Sequence, residues 1–251
     1  TSYTSFDAGS VLRIKLELDA DSQKAKVYVC GNYLGEFETG NINGGINKLT
    51  VGTTDKGIVT ATAEQVHLYR DYLVNDVFRM YEPGSGISAS WDVTGNIVTE
   101  KILSNAINTG DVYSAKMTAA ANQTSKAYKS FDKTSGKVVS EVYILLPDVT
   151  DGAYISLLAD GGTVIKVNTA DSKFYCGNTH LRDFSKNIWQ LVRIEADFDK
   201  GTALIKIDGK TAAENIKISG TYANGIEIGF CPETDAVMWF DDAEVFRAYE
   251  Y

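Results

Sequence analysis

The residues best equipped for chemistry lie in one polar stretch, Tyr175-Cys176-Gly177-Asn178-Thr179-His180-Leu181-Arg182-Asp183. Its ring, amide, imidazole and guanidinium are the groups that grip polyhydroxylated ligands. The aromatic face stacks on C–H groups, and the planar groups make paired hydrogen bonds to hydroxyls or carboxylates. Tyr175, Asn178, His180 and Arg182 are therefore the first candidate binding residues. The chain has only two histidines, His67 and His180, and three cysteines, Cys30, Cys176 and Cys231. The cysteine spacing fits neither a disulfide framework nor a zinc site. It reads as three small semi-buried thiols, with a Cys176–Cys231 bridge left open.

Strands must position these groups. In Gln190 to Phe198, the residues Gln190, Val192, Ile194, Ala196 and Phe198 alternate with Leu191, Arg193, Glu195 and Asp197. One face is mostly apolar and the other mostly charged, as in a strand covering a core on one side. Ala203, Ile205 and Ile207 repeat the pattern up to the hairpin signal Asp208-Gly209. Val142 to Leu146, Tyr154 to Leu158, Val164 to Val167 and Lys173 to Cys176 are further β-rich runs. Turn residues such as Asp151-Gly152 and Asp160-Gly161-Gly162 separate them. Ser114 to Tyr128 has helix propensity but no sustained helical apolar period, so it reads as two strands joined near Asn122-Gln123. The pattern predicts an all-β antiparallel sandwich.

The chain also repeats itself. Leu12 to Asp19 aligns with Val192 to Asp199, Val29-Cys30-Gly31 with Ile207-Asp208-Gly209, Leu49 to Gly52 with Ile226 to Gly229, and Val66 to Tyr72 with Ala243 to Tyr249. The expected organisation is a complete module over 74–251, preceded by the C-terminal half of a homologous module over 1–73. The missing half would come from an upstream segment, from another chain, or from nowhere. The repeat aligns Trp239 with Thr62. A tryptophan that one copy lacks suggests a specific surface role, so Trp239 joins the candidate binding residues.

Composition excludes some partners. A hydrophobic fraction of 44% and a charged fraction of 23% are those of a globular protein. No apolar run is long enough to span a membrane as a helix. A net charge of −9 argues against nucleic acid and mildly against strongly acidic polymers, although a local basic loop could override the average.

Several residues carry a family resemblance. They are Phe78, Trp91-Asp92-Val93, Phe131, Val138-Val139-Ser140-Glu141-Val142, Trp189 to Asp197, Ile207-Asp208-Gly209-Lys210, and Trp239-Phe240-Asp241-Asp242-Ala243-Glu244-Val245. Together they resemble the concanavalin A-like, laminin G-like jelly rolls of secreted bacterial polysaccharide-degrading proteins. The resemblance implies a jelly-roll sandwich. It also implies an extracellular carbohydrate-binding region that anchors such an enzyme to its polysaccharide, alongside further domains of the same polypeptide. No catalytic activity is expected in this chain itself.

Two catalytic patterns of related jelly rolls stay incomplete. Glu195-Ala196-Asp197 begins the Glu-x-Asp-x-x-Glu strand of laminarinase-type hydrolases, but position 200 is Lys200; Glu17-Leu18-Asp19 likewise meets Ser22. Gln65-Val66-His67 matches a tripeptide of alginate lyases, whose His and Tyr move protons in β-elimination, but the accompanying strands are missing. A catalytic polysaccharide lyase and a structural or adhesive spacer are the alternatives. Trp91 and Trp189 are expected in the core. The resemblance further implies a structural Ca²⁺ at Asp241, held with backbone carbonyls.

Overall fold

The computed structural model describes residues 14–19, 24–29, 32–38, 71–78, 81–101 and 113–248. The chain divides into two units, Thr1–His67 with Tyr249–Tyr251, and Leu68–Ala248. The first unit contains β1 (Ile14–Asp19), β2 (Lys24–Val29) and β3 (Asn32–Glu38), an antiparallel sheet in that order. In the second unit, the chain runs through β4 (Asp71–Asp76), β5 (Asp92–Thr94), β6 (Asn96–Lys101), β7 (Tyr113–Ala119), β8 (Ser125–Thr134), β9 (Lys137–Leu145) and β10 (Ala153–Ala159). It continues through β11 (Gly162–Ala170), β12 (Lys173–Cys176), β13 (Thr179–Asp183), β14 (Gln190–Asp197), β15 (Thr202–Ile207), β16 (Lys210–Lys217), β17 (Ala223–Phe230) and β18 (Ala236–Arg247). Among the described residues no helix is long and apolar enough to cross a membrane.

The second unit is an antiparallel sandwich of two sheets. One has the order β13-β12-β11-β10-β17-β8-β5. The other has the order β16-β15-β14-β9-β18-β7-β6, with β4 also paired to β18. The alternation read in Gln190 to Phe198 and Ala203 to Ile207 puts Val192, Ile194, Ile205 and Ile207 of the second sheet in one core with Ile155, Leu157, Ile226 and Ile228 of the first; each is at most 1% exposed. Each such side chain contributes about 2 kcal/mol by leaving water. The hairpins close as their residues dictate. Asp160-Gly161 and Asp208-Gly209 both have positive φ at both central positions, the backbone that matches strand twist. Asp208 also accepts from the Leu191 backbone N–H at 2.9 Å. The stretch with helix propensity forms β7 and β8, joined through Asn122 at φ 57°.

Strand β18 serves two partners on one edge. Ala236–Phe240 pairs with β7, and Ala243–Arg247 pairs with β4. The change falls at a bulge between Asp241 and Glu244, where Asp242 has φ 44° and its N–H donates to Asp241 Oδ1 at 2.8 Å. Strand β4 straddles the boundary expected at Leu73/Val74 and lies in the second unit. Its buried Asp76 accepts from the Phe78 N–H, the Tyr81 hydroxyl and Trp91 Nε1, at 3.0, 2.8 and 2.8 Å. These bonds seat Trp91 and Phe78 against Phe240 in the core, as the sequence led us to expect for Trp91.

The repeated strands share their pairing. In the first unit Ile14 faces Val29 and Asp19 faces Lys24; in the second, Val192 faces Ile207 and Asp197 faces Thr202. One constant shift maps each pair onto the other, and it carries the β2–β3 bulge at Val27/Tyr28 onto the β15–β16 bulge at Ile205/Lys206. That shift equates Lys15 with Arg193 and Glu17 with Glu195. The sequence alignment, which set Arg13 on Arg193, was two residues out of register on this strand.

Candidate functional site

The free face of the seven-stranded sheet carries the most developed group of partly exposed side chains. Ile155, Leu157, Ile226 and Ile228 point inward, so their neighbours in sequence point out. Register then lines up two rows across the strands. One runs Thr94, Lys126, Gly229, Tyr154, Asn168, Tyr175, His180. The other runs Asp92, Tyr128, Glu227, Ser156, Lys166. Tyr154 and Tyr175 stand two strands apart, about 10 Å, the reach of a short oligosaccharide.

Two glycines shape this face. A Cβ on Gly225 would lie 2.6 Å from Cε2 of Tyr128, and one on Gly229 would lie 2.1 Å from Cζ of Tyr154. Each tyrosine therefore lies down over bare backbone of β17 instead of standing up from the sheet. A glycine in a strand interior costs backbone entropy and removes a packing side chain, so close approach is what it offers in return. The polar groups are set between the rings. Lys126 Nζ donates to Glu227 Oε2 at 2.7 Å, and the Tyr154 hydroxyl donates to Glu227 Oε1 at 3.0 Å. The ammonium of Lys166 sits 3.9 Å from the centre of the Tyr154 ring. Burial, and then the negative charge of Glu227, pushes the Tyr154 hydroxyl well above its ordinary pKa. The hydroxyl serves here as a hydrogen-bond donor to Glu227.

The candidate residues read from sequence divide. Tyr175 and His180 fall on this face as direct partners on β12 and β13, rings 5.8 Å apart and tilted. His180 Nε2 is 3.4 Å from Asp183 Oδ1. Asn178 is exposed in the turn between these strands. Arg182 turns away around the sheet edge, donating to the Ile207 carbonyl at 3.2 Å and Asp208 Oδ2 at 3.1 Å, and so ties the two sheets together. Trp239 is not an open stacking surface. It is 8% exposed, its Nε1 donates to Glu100 Oε2 at 3.0 Å, and Lys116 Nζ lies 5.4 Å from its ring centre. It packs with Trp189 and Leu145 in a small cluster on the eight-stranded sheet, on the face opposite the main core. Trp189 is thus buried as expected, but outside that core, and its Nε1 finds no acceptor among the described residues.

Beside that cluster, the outer face of the eight-stranded sheet is closed by ion pairs. Glu195, 5% exposed, accepts from Arg193 Nε and Lys206 Nζ, each at 2.8 Å, and meets Lys137 Nζ at 3.4 Å. Arg193 also pairs with Glu141. Burial alone would raise the Glu195 pKa; the bonds and charges of Lys206 and Arg193 outweigh it and hold the carboxyl at about 2. The incomplete hydrolase motif reads from sequence as a solvated charged face; in the structure Glu195 is buried among its ion pairs, and Asp197 pairs with Lys200 at 2.8 Å.

Gln65, His67 and Cys30 lie outside the described residues. Cys176 and Cys231 are free thiols, the first buried and the second exposed, so the bridge left open by the sequence is not formed. Asp241 is buried at the β18 bulge, and no group of three or more His, Cys, Asp or Glu suited to a metal occurs among the described residues.

No family model matches the chain, and no curated protein sequence matches it. Solved structures do. A sialidase matches at 10% identity and a TM-score of 0.55, over 70% of this chain and 18% of its own. The globular domain of T. cruzi calreticulin matches at 8% and 0.50, over 69% of this chain and 87% of its own. A cellulose-induced protein, Cip1, matches at 12% and 0.51, over 68% and 96%. This chain spans under a fifth of the sialidase's length, and at these identities the likeness is one of fold. The chain is an all-β protein built on an antiparallel jelly-roll sandwich.

Proposed function

We propose that this chain is a non-catalytic carbohydrate-binding region, and that its ligand lies across the strands on the free face of the seven-stranded sheet. The observation that carries the reading is the pair of tyrosines laid over Gly225 and Gly229, with Tyr175 further along the same rows. With Tyr154 capped by Lys166, the Tyr128 and Tyr175 rings are the flat faces for the C–H groups of a sugar, and the polar groups set around Tyr154 meet the hydroxyls at its rim. The structural likeness to a sialidase and to a cellulose-induced protein is in keeping with this use of the fold. In the fuller form of the reading, the region belongs to a secreted bacterial polysaccharide-degrading enzyme and holds it on its polymer. Residues 1–73, which include β1 to β3, are then the C-terminal half of a preceding homologous module.

Affinity electrophoresis on gels cast with a panel of polysaccharides tests the reading. Wild-type protein is expected to be retarded by at least one polymer, and the double variant Tyr128→Ala, Tyr175→Ala to run freely while keeping its circular dichroism spectrum. Equal retardation of both proteins would move the site elsewhere.

A further inference from the structure

We propose, on the basis of that same carbohydrate-binding face, that its ligand is an acidic glycan whose carboxylate or sulfate ester pairs with Lys166. The exposed Lys166 is the lysine of these rows that meets no carboxylate among the described residues. Lys126, in the neighbouring row, is neutralised by Glu227 at 2.7 Å. On the opposite sheet Lys137, Lys206 and Arg193 all converge on Glu195. Lys166 instead rests over the Tyr154 ring, and that ring is fixed twice, by the space over Gly229 and by the hydroxyl bond to Glu227. The ammonium is thereby held over the ring with no carboxylate partner among the described residues, on a strand where Lys166 faces Ser156 and Asn168 faces Tyr154.

A neutral sugar seated there would strip water from the ammonium and return no charge, which is unfavourable. An anionic group on the sugar returns a charge-assisted hydrogen bond. The net charge of −9 does not oppose this, because at physiological salt fields between exposed charges are screened beyond about 8 Å, and the local charge decides.

Calorimetric titration tests the proposal with three probes of equal length: an oligogalacturonate, a sulfated oligosaccharide and a neutral cello-oligosaccharide. Each is titrated into wild type, Lys166→Gln and Lys166→Arg. One acidic probe is expected to bind wild type most tightly and to weaken with added salt; which one it is separates carboxylate from sulfate. Its affinity should fall about tenfold in Lys166→Gln and survive in Lys166→Arg. Acidic probes that bind no more tightly than the neutral one, or equally well to Lys166→Gln, overturn the acidic ligand but leave the carbohydrate reading standing. Failure of all three probes, followed by failure of a wide neutral and acidic glycan array on wild type, overturns both.

Discussion

The two outer faces of the sandwich are built from the same kinds of residue and put them to opposite uses. On the eight-stranded sheet, charged groups meet one another: Glu195 has three cations around it, and Trp189 and Trp239 are packed away with Leu145. On the seven-stranded sheet, aromatic rings lie along the surface and Lys166 keeps its ammonium without a carboxylate partner among the described residues. The backbone decides the difference. Strand β17 places glycine at two outward positions, where rings can lie down; strand β18 places Trp239 at an outward position, where Lys116 and Glu100 cover it. Neighbours can thus bury a tryptophan that the sequence offers as a surface residue, and a glycine in a strand can lay a tyrosine ring along the surface.

The contrast can be broken in order of expected effect. Trp239→Ala should cost about 3 kcal/mol of stability in urea denaturation by opening a cavity, yet leave glycan affinity of the folded protein unchanged. Loss of affinity in a folded Trp239→Ala protein would erase the distinction between the faces. Next comes Glu195. Its pKa is near 2 in the fold against about 4.5 unfolded, so its contribution is complete above pH 4.5 and is lost as pH falls toward 2. Allowing for solvent screening of its partners, that loss is about 2 kcal/mol, and Glu195→Gln should flatten this part of the stability profile.

Gly229→Ala should act in the reverse sense to Trp239→Ala. The new methyl displaces the Tyr154 ring and with it Lys166, so affinity should drop about tenfold while stability changes by about 1 kcal/mol. An unchanged affinity would show the ring to be mere packing. The smallest effect is expected from Ca²⁺: an ion held at Asp241 should raise the Tm by a few degrees, reversibly with EDTA and not in Asp241→Asn, and an unchanged Tm would count against that site.

The fold was largely legible because its signals are local. Alternation in Gln190 to Asp197 and the Asp208-Gly209 turn name strand, face and hairpin without knowledge of the partner strand. For the strands read as repeats, identical residue types at Arg13 and Arg193 drew the alignment two places off, and only hydrogen-bond register shows the matching offset. The same register yields different burial: Leu16 is 51% exposed, while its counterpart Ile194 is at 0% beneath the opposing sheet. Sequence pattern sets which way a side chain points; what covers it is set by another sheet.

The site was only half legible. Tyr175 and His180 are five residues apart and share a hairpin, so one stretch revealed them. Tyr128, Tyr154, Lys166, Glu227 and the two glycines come from four strands, and nothing local says that β8, β17, β10 and β11 are neighbours in that order. The available signal was Gly225-Ile226-Glu227-Ile228-Gly229, with glycine and glutamate taking the outward positions between buried isoleucines. Arg182 was misleading for a related reason: its long side chain serves the edge of the opposite sheet, which the sequence places in a different hairpin.

The bulge at Asp241–Asp242 has a mechanical consequence. Beyond it, among the described residues, β18 holds only β4 on that edge, and the two strands are antiparallel, so Asp71 and Arg247, at the incoming and outgoing ends of the unit, lie side by side. A load applied between those ends opens the ladder like a zipper, one pair after another from Arg247–Asp71 inward, and not all at once in shear. Peeling should yield at low force and then stall where Asp76 grips Trp91, Tyr81 and Phe78. Optical-trap extension of the second unit, with and without Asp76→Asn, would show that step or its absence.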